Sequence, residues 1–196
     1  MITIHQWALR PEALPTAAAL LIGLAGSALT LELVREAAAR RGLARYGWHV
    51  LVALAAGLTA WGADFVDAPF ALSDAPGLAA LSLAIVVVGA GLGFVVVTGG
   101  FTRFAPAIGG AMVGISMAAM HYIGMLADPS GGPAGWSMAC LCSSTLLVAL
   151  VCAVSAQLLM QRGARAYCLA VPVFAAAVIG VHLTGAALFQ AAPASL

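Results

Sequence analysis

An all-α, polytopic membrane protein of six transmembrane helices is the fold class this sequence predicts. Three features carry that prediction. Of 196 residues, 63% are hydrophobic and only 8% are charged, and the mean hydropathy is +1.07, far outside the range of soluble domains. Six apolar runs are long enough to cross about 30 Å of hydrocarbon. The arginines gather in alternate connections between those runs, as the loops of one membrane face do.

The runs are, in order, Thr16–Val34, Tyr46–Phe65, Gly77–Thr98, Phe104–Ala127, Trp136–Met160 and Ala166–Phe189. Each must be helical, because an open strand would leave its backbone polar groups unsatisfied in lipid. Most prolines fall at run edges, as with Pro15, Pro69, Pro76, Pro106, Pro129 and Pro133. Pro172 lies near the start of the sixth run, where a first-turn proline is tolerated. The first run is read as a retained span, since no small-residue cleavage site follows it. Residues 1–196 form one transmembrane domain built of hairpins at about 16–65, 77–127 and 136–189.

The chain has no lysine and eight arginines, and its net charge is +1. Arg35, Arg40, Arg41 and Arg45 lie between runs one and two, Arg103 between three and four, and Arg162 and Arg165 between five and six. Those connections therefore face the cytoplasm, and both termini face outside. The other two connections carry Asp67, Asp74 and Asp128 and no arginine. The expected setting is the bacterial cytoplasmic membrane, crossed several times, with the lipid bilayer as the main partner. The weak net charge gives no basis for a nucleic-acid partner. Cys140, Cys142, Cys152 and Cys168 form neither a zinc signature nor a disulfide framework. No nucleophile–base pair, phosphate-binding loop or paired carboxylates point to catalysis, so the chain is not read as an enzyme.

The fourth run contains Met120-His121-Tyr122-Ile123-Gly124-Met125. On a helix Met117, His121 and Met125 recur at i, i+4 and i+8, with Met120 and Gly124 on the same face. An imidazole among thioethers suits a soft metal. A histidine within a membrane span also needs a partner. The same residues otherwise read as apolar filler and a histidine hydrogen-bonded to a neighbouring helix.

An internal repeat surrounds this stretch. Gly57 to Val66 align with Gly114 to Ile123, which places Asp64 opposite His121 and Phe65 opposite Tyr122. Val181 to Ala186 align with Met120 to Met125, which places His182 opposite His121 and Gly185 opposite Gly124. A two-helix hairpin used three times follows, with copies related by an axis along the membrane normal in a pseudo-threefold arrangement. Runs two, four and six then form the inner ring, with Asp64, His121 and His182 at one depth.

Met120 to Met125 resembles the signature of the MHYT family of bacterial integral membrane sensor domains. The resemblance extends to the span count, the hairpin period and the arginine-rich first connection. It implies a sensory membrane module that binds copper near the outer face and senses a diatomic gas such as oxygen, carbon monoxide or nitric oxide. It also implies a cytoplasmic signalling output protein or domain as a partner. The first copy has Ala63-Asp64 in place of Met-His, and the third keeps His182 but has Val181 and Ala186 in place of both methionines.

The candidate metal ligands are Met120, His121, Met125 and His182, with Met117 one turn below. Asp64 is placed as a hydrogen-bond partner that fixes an imidazole tautomer. Cys140 and Cys142 are read as a pair of buried small residues, His49 as interfacial, and His5 as part of a short outer tail. Glu32 is expected to pair with Arg35. Gly89, Gly93, Gly109, Gly110 and Gly114 are read as close-packing positions. Three other functions fit the residues: membrane copper handling, haem binding through His121 and His182, and a structural subunit without a ligand.

Overall fold

A computed structural model of the chain describes residues 13–66, 75–126, 138–161 and 163–191, with side chains through 181. It holds six helices: α1 (Ala13–Ala39), α2 (Gly42–Phe65), α3 (Pro76–Gly99), α4 (Ala105–Met125), α5 (Met138–Leu159) and α6 (Ala164–Ala191). All six are long and apolar enough to cross a membrane, and no strand occurs among the described residues. The protein is a multi-pass membrane protein, and every span expected from the apolar runs is present. Leu20, Leu54, Leu92, Ile115 and Leu146 are exposed large side chains, as helices facing lipid rather than water require.

The helix ends follow local chemistry. Pro76 and Pro106 stand in the first turns of α3 and α4, where a missing N–H costs nothing and the fixed φ suits a helix. Gly100 closes α3 at φ 68°, the left-handed cap that a side chain disfavours. Two boundaries differ from the apolar runs. α1 continues to Ala39 because Glu32–Arg35 and Glu36–Arg40 pair along its surface at 3.1 and 2.8 Å. Arg35 and Arg45 therefore lie on helices rather than in the connection. α6 begins at Ala164, so Pro172 sits inside the helix, about two turns in, and not in its first turn.

Helices neighbouring in sequence pack against each other, and α6 closes back on α1. α2, α4 and α6 also touch one another in pairs. This is the inner trio expected from three hairpins around a common axis. α4 and α2 have the most buried spans, 56% and 44%, against 28–33% elsewhere.

Small residues make this possible. A Cβ on Gly93 would meet the Gly109 carbonyl oxygen at 2.7 Å, and one on Gly109 would meet the Gly93 carbonyl oxygen in turn, so the α3 and α4 backbones touch directly. On its other side α4 rests on α5, where Gly110 abuts the Cys152 carbonyl and Gly114 abuts Ala149. Gly89 faces Ser116, and Gly91 packs on Ala53 of α2, a role its sequence surroundings do not announce. Dispersion between close backbones replaces the hydrophobic drive that lipid does not supply. The core runs from Leu31 and Val34 through Val52, Phe94 and Val113 to Phe174 and Val178.

Candidate functional site

The polar core at one end of the bundle begins with the last turn of α2. Phe65 stacks on Trp61, with ring centres 4.8 Å apart and planes 18° from parallel. Trp61 Nε1 donates to Ser82 Oγ on α3 at 3.1 Å, and Ser82 donates to the Ala79 carbonyl at 2.8 Å. Phe65 in turn lies over Gly124, where a Cβ would come within 2.5 Å of the ring. A bare glycine surface on α4 thus lets the end of α2 approach, and Asp64 is brought to His121.

His121 Nδ1 lies 2.7 Å from Asp64 Oδ1, and the two side chains are only 7% and 8% exposed. An ionised carboxylate only accepts, so Nδ1 carries the proton and a neutral imidazole presents its lone pair at Nε2. That Nε2 is buried with no hydrogen-bond partner. An orphaned ring nitrogen inside a membrane protein is costly, and a metal ion or a ligand with a donor hydrogen would satisfy it. Tyr122 meets the His121 ring edge-on at 5.4 Å, and its hydroxyl hydrogen-bonds Ser144 of α5. Consecutive residues of α4 therefore tie it to α2 on one side and α5 on the other.

The expected ligands divide by position. Met117 and Met120 are buried, 0% and 1% exposed, and Met125 is half-buried at the last position of α4. His182 falls on α6, which touches both α2 and α4, but its side chain lies outside the described residues. So do His5, Asp67, Asp74, Asp128 and Trp136. Among the described residues no group of three or more His, Cys, Asp or Glu converges. A metal here would have to draw on thioethers and a single described imidazole.

Cys140 and Cys142 correct the expectation of a buried pair. Cys140 is half-buried and Cys142 is exposed, in a shallow groove with Ile115 and Leu146. Residues two apart on a helix point to different sides, so one faces outward. His49, expected to be interfacial, lies near the start of α2 and is 7% exposed, with Nδ1 2.7 Å from the Arg45 carbonyl and Nε2 2.9 Å from Thr98 Oγ1. Arg45 Nη2 also donates to the Thr98 carbonyl at 2.6 Å. Sequence reasoning did not find this cluster, nor the Trp61–Ser82 and Tyr122–Ser144 pairs. A threonine at the end of one span and an Arg-x-x-x-His face at the start of another are the only hints, and pairing them requires knowing which helices adjoin.

Residues 114–172 match the family described as MHYT, bacterial signalling protein N terminal repeat. The match starts at Gly114 on α4, crosses α5 and ends at Pro172 on α6. An "Uncharacterized signaling protein" of Caulobacter vibrioides is 31% identical over 132 residues, which is 63% of this chain and 16% of that protein. The chain thus spans well under a fifth of the length of that relative. No solved structure matches the chain. The stretch containing Met120 to Met125 thus lies within a match to the MHYT family, the family those residues resemble.

Proposed function

We propose that this chain is the membrane sensory module of a bacterial signalling protein, and that it binds copper(I) beside His121. The observation that carries the reading is the state of the His121 ring: Nδ1 is held by Asp64 and Nε2 is buried and unpartnered. That is how a metal-ligating histidine is usually prepared, one nitrogen oriented by a carboxylate and the other free. His121 would supply Nε2, and Met120, Met117, Met125 and His182 are the candidate soft ligands around it. Cu(I) accepts thioethers, imidazoles and low coordination numbers, whereas hard cations need several oxygens. Bound copper(I) with an open position would supply a site for a diatomic gas such as oxygen, carbon monoxide or nitric oxide. Asp64 fixes the ring, and Trp61, Phe65 and Gly124 hold Asp64 in place.

Signalling is supported by the family description and by the name of the Caulobacter relative. The output would be a cytoplasmic signalling protein or domain. The arginine-bearing end, with Arg40, Arg41, Arg45 and Arg103, is read as cytoplasmic and the His121 end as outward, in the bacterial inner membrane. Reporter fusions at Ala38, Arg103 and Gly163 should report cytoplasm, and fusions at Asp74 and Gly131 the exterior. The reverse pattern would overturn the orientation without touching the site.

The site itself is tested by copper stoichiometry. Protein from copper-replete cells, purified in mild detergent, should retain copper in the wild type and lose it in His121→Ala. Carbon monoxide should then change the absorption or infrared spectrum of the wild type alone. Equal copper in the two proteins would remove the metal reading, and a Soret band would replace it with haem.

A further inference from the structure

The arginine-bearing end contains a second cavity that the histidine site does not use. It measures about 390 Å³ and is lined by Arg35, Leu159, Gln161, Ala164, Tyr167 and Cys168, among others. It lies where the end of α5 and the start of α6 meet the last turns of α1. Its volume falls among those of small-ligand pockets, roughly 300–1,000 Å³. We propose that this cavity binds the phosphate group of an anionic phospholipid, with Arg35 as the cation that recognises it.

Depth places Arg35 among lipid headgroups. α1 has 27 residues, about 40 Å of helix against about 30 Å of hydrocarbon. Its charged residues, Glu32, Arg35, Glu36 and the adjoining Arg40, are all at this end. The extra length and the charge together put the last turns in the headgroup layer. The walls continue into lipid, since Leu29 of α1 and Leu169 of α6 are 55% and 57% exposed.

The cation is held ready. The Arg35 guanidinium lies over the Tyr167 ring, 4.8 Å from its centre, and Tyr167 is itself fixed by donating to the Ala28 carbonyl at 3.3 Å. Glu32 takes one Arg35 nitrogen at 3.1 Å, but a guanidinium carries five N–H donors in a fork that suits phosphate. The half-exposed pair is weakly held. The Gln161 side chain can add a neutral donor, and no carboxylate is among the described lining residues. Arg165, exposed in the first turn of α6, adds positive charge at the same end. An arginine held between spans at headgroup depth is a recognised means of anionic-lipid binding.

Native mass spectrometry of the whole chain in mild detergent tests this. Dioleoylphosphatidylglycerol, dioleoylphosphatidylcholine and inorganic phosphate are the probes. The wild type should retain phosphatidylglycerol over phosphatidylcholine, and Arg35→Gln should retain about fivefold less, the factor one interfacial arginine contributes. Glu32→Gln should retain more than wild type, because it removes the carboxylate that competes for Arg35. A gain cannot come from misfolding, so this variant keeps the test sharp if Arg35→Gln folds poorly. Phosphatidylglycerol retained equally by Arg35→Gln and wild type, or no preference over phosphatidylcholine, would overturn the site. Displacement by millimolar inorganic phosphate would overturn the lipid as the source of the phosphate.

Discussion

His49 and His121 sit toward opposite ends of the bundle and share one design, up to one atom. Each is buried, and each uses Nδ1 to donate to an oxygen, the Arg45 carbonyl in one case and the Asp64 carboxylate in the other. At His49 the second nitrogen faces the Thr98 hydroxyl, and Arg45 closes the circuit. At His121 the second nitrogen faces no hydrogen-bond partner. A fully satisfied histidine ties two helices together and has nothing left to offer. An orphaned nitrogen costs stability, and such a cost marks a place where a ligand would be accommodated. The difference separates a structural clasp from a candidate binding site.

The largest expected break in this comparison is His121→Ala. It removes the proposed central ligand and the imidazole that faces Asp64 Oδ1 at 2.7 Å, a hydrogen bond to a charged group that should cost about 1.5–3 kcal/mol of stability. Denaturant titration in detergent measures the loss, and the double variant with Asp64→Asn should lose less than the two single variants together. Fully additive losses would mean that the Asp64–His121 contact carries little energy.

Asp64→Asn alone comes next. It keeps an oxygen acceptor but weakens the hold on the ring, so copper affinity should fall about 10–100-fold without vanishing. Competition with a copper chelator reads this directly. An unchanged affinity would remove Asp64 from the site.

His49→Ala should cost about 1–3 kcal/mol, the range for buried hydrogen-bonding groups left unpaired, and should leave copper stoichiometry at the wild-type value. Loss of copper here would break the distinction between the two ends. Gly124→Ala is the mildest change. Its methyl would press on the Phe65 ring at 2.5 Å, and overpacking of this kind costs about 1–3 kcal/mol. Because Phe65 adjoins Asp64, the variant should weaken copper binding more than its stability loss explains. Equal behaviour of Gly124→Ala and a remote packing variant such as Gly91→Ala would uncouple the α2–α4 approach from the site.

Much of the architecture was legible before any coordinates. Twenty apolar residues in a row have few options in lipid, so each run from Thr16–Val34 onward became a helix within a few residues of its expected ends. The hairpin period put Asp64 opposite His121 by register alone, and their 2.7 Å contact follows from that register. Gly89, Gly93, Gly109, Gly110 and Gly114 were legible too, because small residues recurring on one helical face have little purpose except close approach. Charge along α1 was legible in part. The Glu32–Arg35 pair was expected, but the Glu36–Arg40 pair and the extension of the helix to Ala39 were not.

What the sequence determined by itself was whatever depends on period and on solvent: the six spans and the register that sets Asp64 beside His121. Those properties are local or follow from the bilayer, so no neighbour has to be known. What only the tertiary structure decided was which polar atoms find partners. His49 is satisfied because α3 happens to end with Thr98 beside it, and Cys142 is exposed in a groove between α4 and α5. His121 keeps a bare Nε2 because Phe65 and Gly124 bring in Asp64 from one side, and no described donor or acceptor reaches the other. A hydrogen bond is made or lost within a few tenths of an ångström, and that resolution arises only when side chains from several helices meet.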